Sequence, residues 1–217
     1  MKHILYKETR LSALKLSYVF VASALLSLVP AYPILLGGFF TSLGIFYSFQ
    51  AMRENRDIGY SLLLPVSKAD IVKGKFAFVL LLEGASFIIM TIVTALRMSV
   101  LKDAAVYREN PLMGANLVFL GWALVMFGLF NLCFVRGFFK TAYYIGKPFV
   151  YFCVCAGAVI LLAEALWHVP GLGALNAFGT DHIALQCGAL AAGGAAFALM
   201  TYASLRRSVY TFEHTDL

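Results

Sequence analysis

Groups able to do chemistry are few in this chain, and they are scattered. The four histidines, His3, His168, His182 and His214, lie far apart. No Gly-x-x-x-x-Gly-Lys-Ser/Thr phosphate loop is present, and neither is a His-Glu-x-x-His or Gly-x-Ser-x-Gly signature. Cys133, Cys153, Cys155 and Cys187 all fall in apolar runs. Cys153-x-Cys155 lacks the two-residue spacing of zinc or redox pairs. On a helix those two side chains point about 200° apart, so all four read as small packing residues. His168 and His182 fall near the same end of the chain's apolar blocks. That leaves a two-ligand site open beside the plainer reading of solvated loop histidines. An intramembrane enzyme would need a nucleophile and a base within apolar segments, and no such pair stands out.

Two acids do fall in apolar segments. Glu83 lies eight residues past Lys75, about 12 Å along a helix into a hydrocarbon layer of about 30 Å. A carboxylate at that depth costs on the order of 3 kcal/mol on insertion scales and faces a protein interior or a cavity. Two readings stand side by side: a polar contact on a substrate path or subunit interface, and a protonated or hydrogen-bonded structural carboxyl. Glu164 precedes His168 by four residues, on one helix face. It reads as an interfacial residue reaching water.

The most informative stretch is Glu54 to Phe76, ENRDIGYSLLLPVSKADIVKGKF, the longest charged interruption between apolar blocks. With Arg53 it holds five of the seventeen Lys and Arg residues. Pro65 disfavours helix at the residue before it and so ends the first segment. Ser67 suits an N-cap, with Asp70 in the first turn where negative charge favours the helix dipole. From Ile71 the chain stays apolar for more than twenty residues.

The elements that must carry this stretch follow from composition. The chain is 61% hydrophobic and 13% charged, with a mean hydropathy of +0.84, against about 45–50% apolar and 25% charged in soluble domains. It reads as an all-α, polytopic membrane protein. Its net charge of +6 implies no nucleic acid, since basic residues gather on the cytoplasmic side of membrane proteins. Residues 1–15 read as an interfacial helix: Ile4, Leu11 and Leu14 share a face, and Lys2, Lys7, Arg10 and Lys15 supply charge for headgroups. Ala22-Ser23-Ala24 resembles a signal cleavage site, but the apolar run continues past it, so a retained first span is the reading.

Six spans are expected, at about 16–30, 32–52, 71–98, 112–135, 148–168 and 183–204, with Pro30 and Pro33 splitting the first apolar block. A re-entrant pair is the alternative for that block. Short basic residues at 136–147 read as a loop, with Pro148 in the first turn of the fifth helix. In this arrangement fourteen of the seventeen basic residues fall on one side. Both termini are therefore expected in the cytoplasm. Ala184, Gly188, Ala192 and Ala196 form a small-residue row on the last span, with Ala189 and Gly193 beside it. Such rows let helices approach closely in lipid.

The ordered set Glu54, Gly59, Leu62–Leu64, Pro65, Val66, Ser67, Lys68, Asp70, Ile71, Val72, Gly74 and Lys75 resembles the first cytoplasmic loop of the small six-span type-2 ABC exporter permeases, those of bacterial amphipathic and antimicrobial peptide exporters in particular. The motif covers about a tenth of the chain. The resemblance implies a permease with no catalysis of its own, in the plasma membrane. Segment 54–64 would be a coupling helix, with Glu54, Arg56, Asp57, Gly59 and Tyr60 contacting an ATP-hydrolysing subunit and with Pro65 and Ser67 as the hinge into the third span. It implies two ATPase subunits, ATP and Mg²⁺ bound on them, a second permease chain, like or unlike, and an amphipathic substrate, a peptide first. The alternative is a non-transporting immunity or assembly factor on the same helical scaffold, which needs no ATPase partner.

Overall fold

The computed structural model describes residues 2–141 and 144–215, so the middle of the expected 136–147 loop lies outside the described residues. Among those residues all regular structure is helical. A short helix α1 (Lys2–Lys7) runs on through a π-helical turn, Glu8–Ser12. Helix α2 (Lys15–Val21) tightens into a 3₁₀ segment, Ala22–Leu28. The two halves of this N-terminal unit meet at 94°. Then follow α3 (Leu36–Glu54), α4 (Asp57–Leu62), α5 (Lys68–Ser99), α6 (Ala105–Arg108), α7 (Leu117–Phe130), a π-helical turn (Asn131–Val135), α8 (Arg136–Thr141), α9 (Gly146–Leu166) and α10 (Ile183–Glu213).

Among the described residues four helices are long and apolar enough to cross a membrane: Lys68–Ser99, Leu117–Lys140, Gly146–Leu166 and Ile183–Glu213. Counting the bent N-terminal pair as one span gives five. The expected count of six therefore differs by α3. That helix has 19 residues, about 28 Å at 1.5 Å per residue, which is long enough. It carries Thr41, Ser42, Ser48, Gln50, Arg53 and Glu54, which lower its apolarity. The physical reason is its place: Thr41, Ser42 and Ser48 are buried, because α3 runs through the centre of the bundle against α2, α5, α7 and α9. A helix shielded by its neighbours can keep polar residues that a lipid-facing one cannot.

The basic segment expected as a loop at 136–147 also differs. Helix continues to Thr141, with Phe138 and Phe139 buried. Gly137 does not break it, because that position is where Pro148 packs and a Cβ would collide with the proline ring. Aromatic rings fill the bundle above this end. Phe46 of α3 stacks on Phe149 of α9 at 4.0 Å between centroids, Phe49 meets Phe138 edge-on at 4.8 Å, and Phe139 bridges Phe76 of α5 and Phe212 of α10.

At the opposite end, polar side chains tie the connections. Arg97 donates to the Ser27 carbonyl at 2.8 Å and lies over the Tyr107 ring, whose hydroxyl donates to the Leu28 carbonyl. These contacts satisfy carbonyls that the end of the 3₁₀ segment leaves open. Asn116 N-caps α7, and its amide donates to the Leu175 and Ala177 carbonyls. Glu164 does not simply reach water: its carboxylate accepts from the Met113 amide at 2.7 Å.

The small residues of α10 divide by face. Ala184, Gly188 and Ala192 are exposed. The neighbouring row does the packing: a Cβ on Gly193 would run into the Gly121 carbonyl of α7, and one on Gly121 would come within 2.7 Å of the Ala189 carbonyl. Substituting Gly193→Leu should therefore destabilise the bundle by about 1–3 kcal/mol, the range for overpacking. Gly188→Ala, inside α10 with open space around it, should leave stability unchanged or raise it by up to about 1 kcal/mol. Thermal unfolding in detergent micelles reads both.

Candidate functional site

The stretch between α3 and α5 folds as its punctuation suggests. Helix α3 ends at Glu54, and Arg56 turns the chain with φ 51°. Helix α4 covers Asp57–Leu62, and Pro65 lies in the bend beyond it, across which the Val66 amide donates to the Leu64 carbonyl. The Ser67 hydroxyl accepts from the Asp70 amide at 3.1 Å and donates to the Asp70 carboxylate at 2.8 Å, closing the first turn of α5. Lys68 donates to the carbonyls of Thr215 and Glu213, which fixes the end of α10 beside the start of α5.

The residues singled out in this stretch separate into two groups. Glu54, Arg56, Gly59 and Tyr60 are exposed, and Glu54 accepts a hydrogen bond from Gln50 at 3.1 Å. Gly59 has open space around it. Beside them stand Leu63 and Leu64, which the sequence placed in the leucine run of segment 54–64 without assigning them a contact. With Tyr60 they are 81%, 50% and 68% exposed respectively. The result is an outward knob of apolar side chains on a segment whose Arg53, Glu54 and Arg56 are exposed as well.

Asp57, grouped in the sequence with the partner-facing residues, turns the other way. Its carboxylate lies 2.7 Å from the Lys75 ammonium through one oxygen and 2.7 Å from Lys7 through the other. Glu8 repeats the pattern, 3.0 Å from Lys75 and 3.2 Å from Lys7. Two lysines and two carboxylates thus form a closed square with no net charge. Ser12 donates to Asp57, Lys7 donates to Ser61, and Ser61 in turn donates to the Asp57 carbonyl. Lys75 is fully buried and Glu8 is 1% exposed. The square joins three elements remote in sequence: the N-terminal helical unit, α4 and α5. Gly74 completes the joint, since any Cβ there would collide with Ile4.

Burial by itself would raise the Asp57 pKa; the Lys75 charge and the hydrogen bonds from Lys7, Lys75 and Ser12 outweigh it and hold the group at about 2. The sign of the consequence is fixed. A depressed carboxyl contributes stability above its unfolded value of about 3.9, and that contribution is lost as pH falls toward the folded value.

The sequence named Lys75 only as a basic residue of the motif and did not single out Glu8. A signal existed for Lys75. It follows Ile71 and Val72 by four and three residues and precedes Phe78 and Val79 by the same spacings, so it lies on an apolar helix face where a lysine needs an acid.

Glu83 sits on the same helix, sixteen residues beyond Ser67. It is buried, and its Oε2 accepts from the Asn131 amide at 3.0 Å. That amide also donates to Thr201, while Ser204 donates to the Asn131 carbonyl. Asn131 opens the π-helical turn, and its carbonyl accepts both the Arg136 amide of that turn and the Ser204 hydroxyl. Glu83 thus joins α5, α7 and α10 inside the bundle. Its Oε1 is buried and has no hydrogen-bond partner among the described residues. Among the described residues no group of three or more His, Cys, Asp or Glu could hold a metal ion.

Residues 4–213 match the family described as ABC-2 family transporter protein. The chain belongs to that family. Its members are the membrane component of ABC transporters, so this is a multi-pass permease subunit whose family implies an ABC ATPase as partner. Comparison with curated proteins and with solved structures gave no match.

Replacing Lys75→Met leaves Glu8 and Asp57 facing Lys7 alone in a buried site. Breaking a buried pair this way costs on the order of 3–5 kcal/mol. The N-terminal helix should detach first, read as rapid tryptic cleavage at Arg10 and Lys15 under conditions where the parent chain resists. In the parent, pepsin, which is active in acid, should cut the N-terminal helix slowly at about pH 4 and faster toward about pH 2 relative to an unfolded control peptide.

Proposed function

We propose that this permease works as an exporter half with six spans: the four apolar helices, the bent N-terminal unit and the shielded α3. In this reading the N-terminal helix α1 lies along the membrane surface, at right angles to the span that follows it. The end bearing the square and both termini face the cytoplasm, as the fourteen basic residues on that side favour. ATP and Mg²⁺ are bound by two ATPase subunits, and a second permease chain, like or unlike, completes the path. At 217 residues one chain is small for enclosing a pathway alone.

The observation that carries the reading is the pairing of an outward knob with an inward lock. Segment 54–64 offers Tyr60, Leu63 and Leu64 as apolar anchors, the kind of residue that dominates a protein interface. Behind them, Asp57 is locked to Lys75 of α5 and to Lys7. Force applied to α4 by a moving ATPase would pass into α5 without slack. Glu54, Arg56, Gly59 and Tyr60 are the contact, Asp57 the inner tie, and Pro65 and Ser67 the hinge. The substrate class rests on the resemblance to peptide exporters: an amphipathic molecule, a peptide first.

Tyr60→Ala and Gly59→Arg should each lower the affinity for the ATPase subunit by about tenfold or more, the scale of an interface anchor. Helix content and melting should stay at parent values, since both positions are exposed. Co-purification and substrate-stimulated ATP hydrolysis in liposomes measure this. Normal hydrolysis and transport by both variants would sink the coupling assignment. No ATPase subunit on the parent chain would favour the assembly-factor alternative instead.

A further inference from the structure

A groove of about 420 Å³ opens between the start of α8 and the last third of α10, lined by Arg136, Arg206, Arg207, Tyr210 and Thr211. Among the described residues none of its three guanidinium groups has an ion pair or a hydrogen bond. Three like charges thus line one concavity, an arrangement that an anion would neutralise.

Depth says which one. Arg206 follows Ile183, the first residue of α10, by 23 positions, about 35 Å along the helix. That is past a hydrocarbon core of about 30 Å and inside the 40–45 Å that includes the headgroups. Arg136 lies 19 residues past Leu117 in the continuous helix of α7 and α8, about 29 Å along it, so both helices deliver arginine to the same boundary. Below the charges the surface turns apolar: Tyr202 and Leu199, one and two turns back from Arg206, are 63% and 69% exposed. An acyl chain could lie along them while the headgroup reaches the arginines.

We propose that Arg136, Arg206 and Arg207, with the Tyr210 hydroxyl, bind the phosphate headgroup of an anionic lipid. Planar guanidiniums match phosphate oxygens two at a time, and basic pockets between spans at the membrane surface take such headgroups. The site belongs to the end where Lys68 holds the carbonyls of Glu213 and Thr215, the coupling end. That it lies in the cytoplasmic leaflet rests on the orientation proposed above; the binding itself does not.

The test is native mass spectrometry of the full chain released from nanodiscs containing phosphatidylglycerol and phosphatidylcholine. Preferential retention of phosphatidylglycerol is expected. It should fall by about fivefold for each arginine removed in Arg136→Gln and in Arg206→Gln with Arg207→Gln. Arg207→Lys should keep part of it, and Lys102→Gln at the opposite end should change nothing. Undiminished retention in the glutamine variants overturns the site. So does displacement of the lipid by millimolar inorganic phosphate, which would mark a free-anion site, or loss of a bound ATPase subunit with lipid retention intact, which would mark a protein contact. Protease access to the C terminus in sealed vesicles is read separately. An outward-facing end would overturn the orientation and leave the retention result standing.

Discussion

A lysine ammonium with no access to water is the constraint around which one end of this protein is built. Lys75 sits on the apolar face of α5, and a charge there costs several kcal/mol to desolvate unless acids compensate it. Two do, and both come from elsewhere in the chain: Glu8 on the N-terminal helix and Asp57 at the start of α4. Their spare oxygens would then be unpaired, and Lys7 takes both. Each member of the square is needed by the others. An ion pair buried this deeply is poor evidence of added stability, since apolar residues could fill the space at less cost. What it supplies is a specific geometry. α1 and α4 can dock against α5 in one register only, because any slip leaves a bare charge.

The same logic recurs once within the bundle, with weaker parts. Glu83, Asn131, Thr201 and Ser204 form a polar knot where α5, α7 and α10 meet. Here hydrogen bonds replace ion pairs, and the helix itself changes, opening a π-helical turn at Asn131. Further along the α7–α10 contact the joint is steric: Gly121 and Gly193 bring the backbones together. So α10 is held to α7 by close packing on one side of Asn131 and by hydrogen bonds at it, and to α5 by the Glu83 bridge and by Lys68.

How much of this could be read from the chain depends on whether the cause was local. Ser67 with Asp70, and Pro65 before them, act within a few residues, and the break and cap lie where those residues require. The apolarity of α5, α7, α9 and α10 is likewise written in each segment. The central placement of α3 is not, because its polar residues are tolerated only through neighbours far away in sequence. The inward turn of Asp57 was hidden for the same reason: nothing near it says whether its partner is a subunit outside or a lysine eighteen residues on. Pattern on α10 was misleading in a different way. Two small-residue rows sit side by side, and spacing alone cannot tell which faces α7.

These elements bear on how a permease of this family could move. A coupling segment is useful only if displacement at its surface is not absorbed before it reaches the spans. Helix α4 is six residues long, too short to be stable by itself, and a lone charged loop of that length would yield under load. The square removes that freedom at one end, and the serine cap with its proline removes it at the other. Since Lys75 lies on the second turn of α5, the tie meets the span close to its base. On the proposed coupling role, a push on Tyr60 would be passed to α5 through this tie, and the rings of Phe76, Phe139 and Phe212 link α5 to α8 and α10. The N-terminal helix, bound to the same lysine, would have to travel too. Of the elements at this end it is the one whose part nothing in the Glu54–Phe76 stretch foretells.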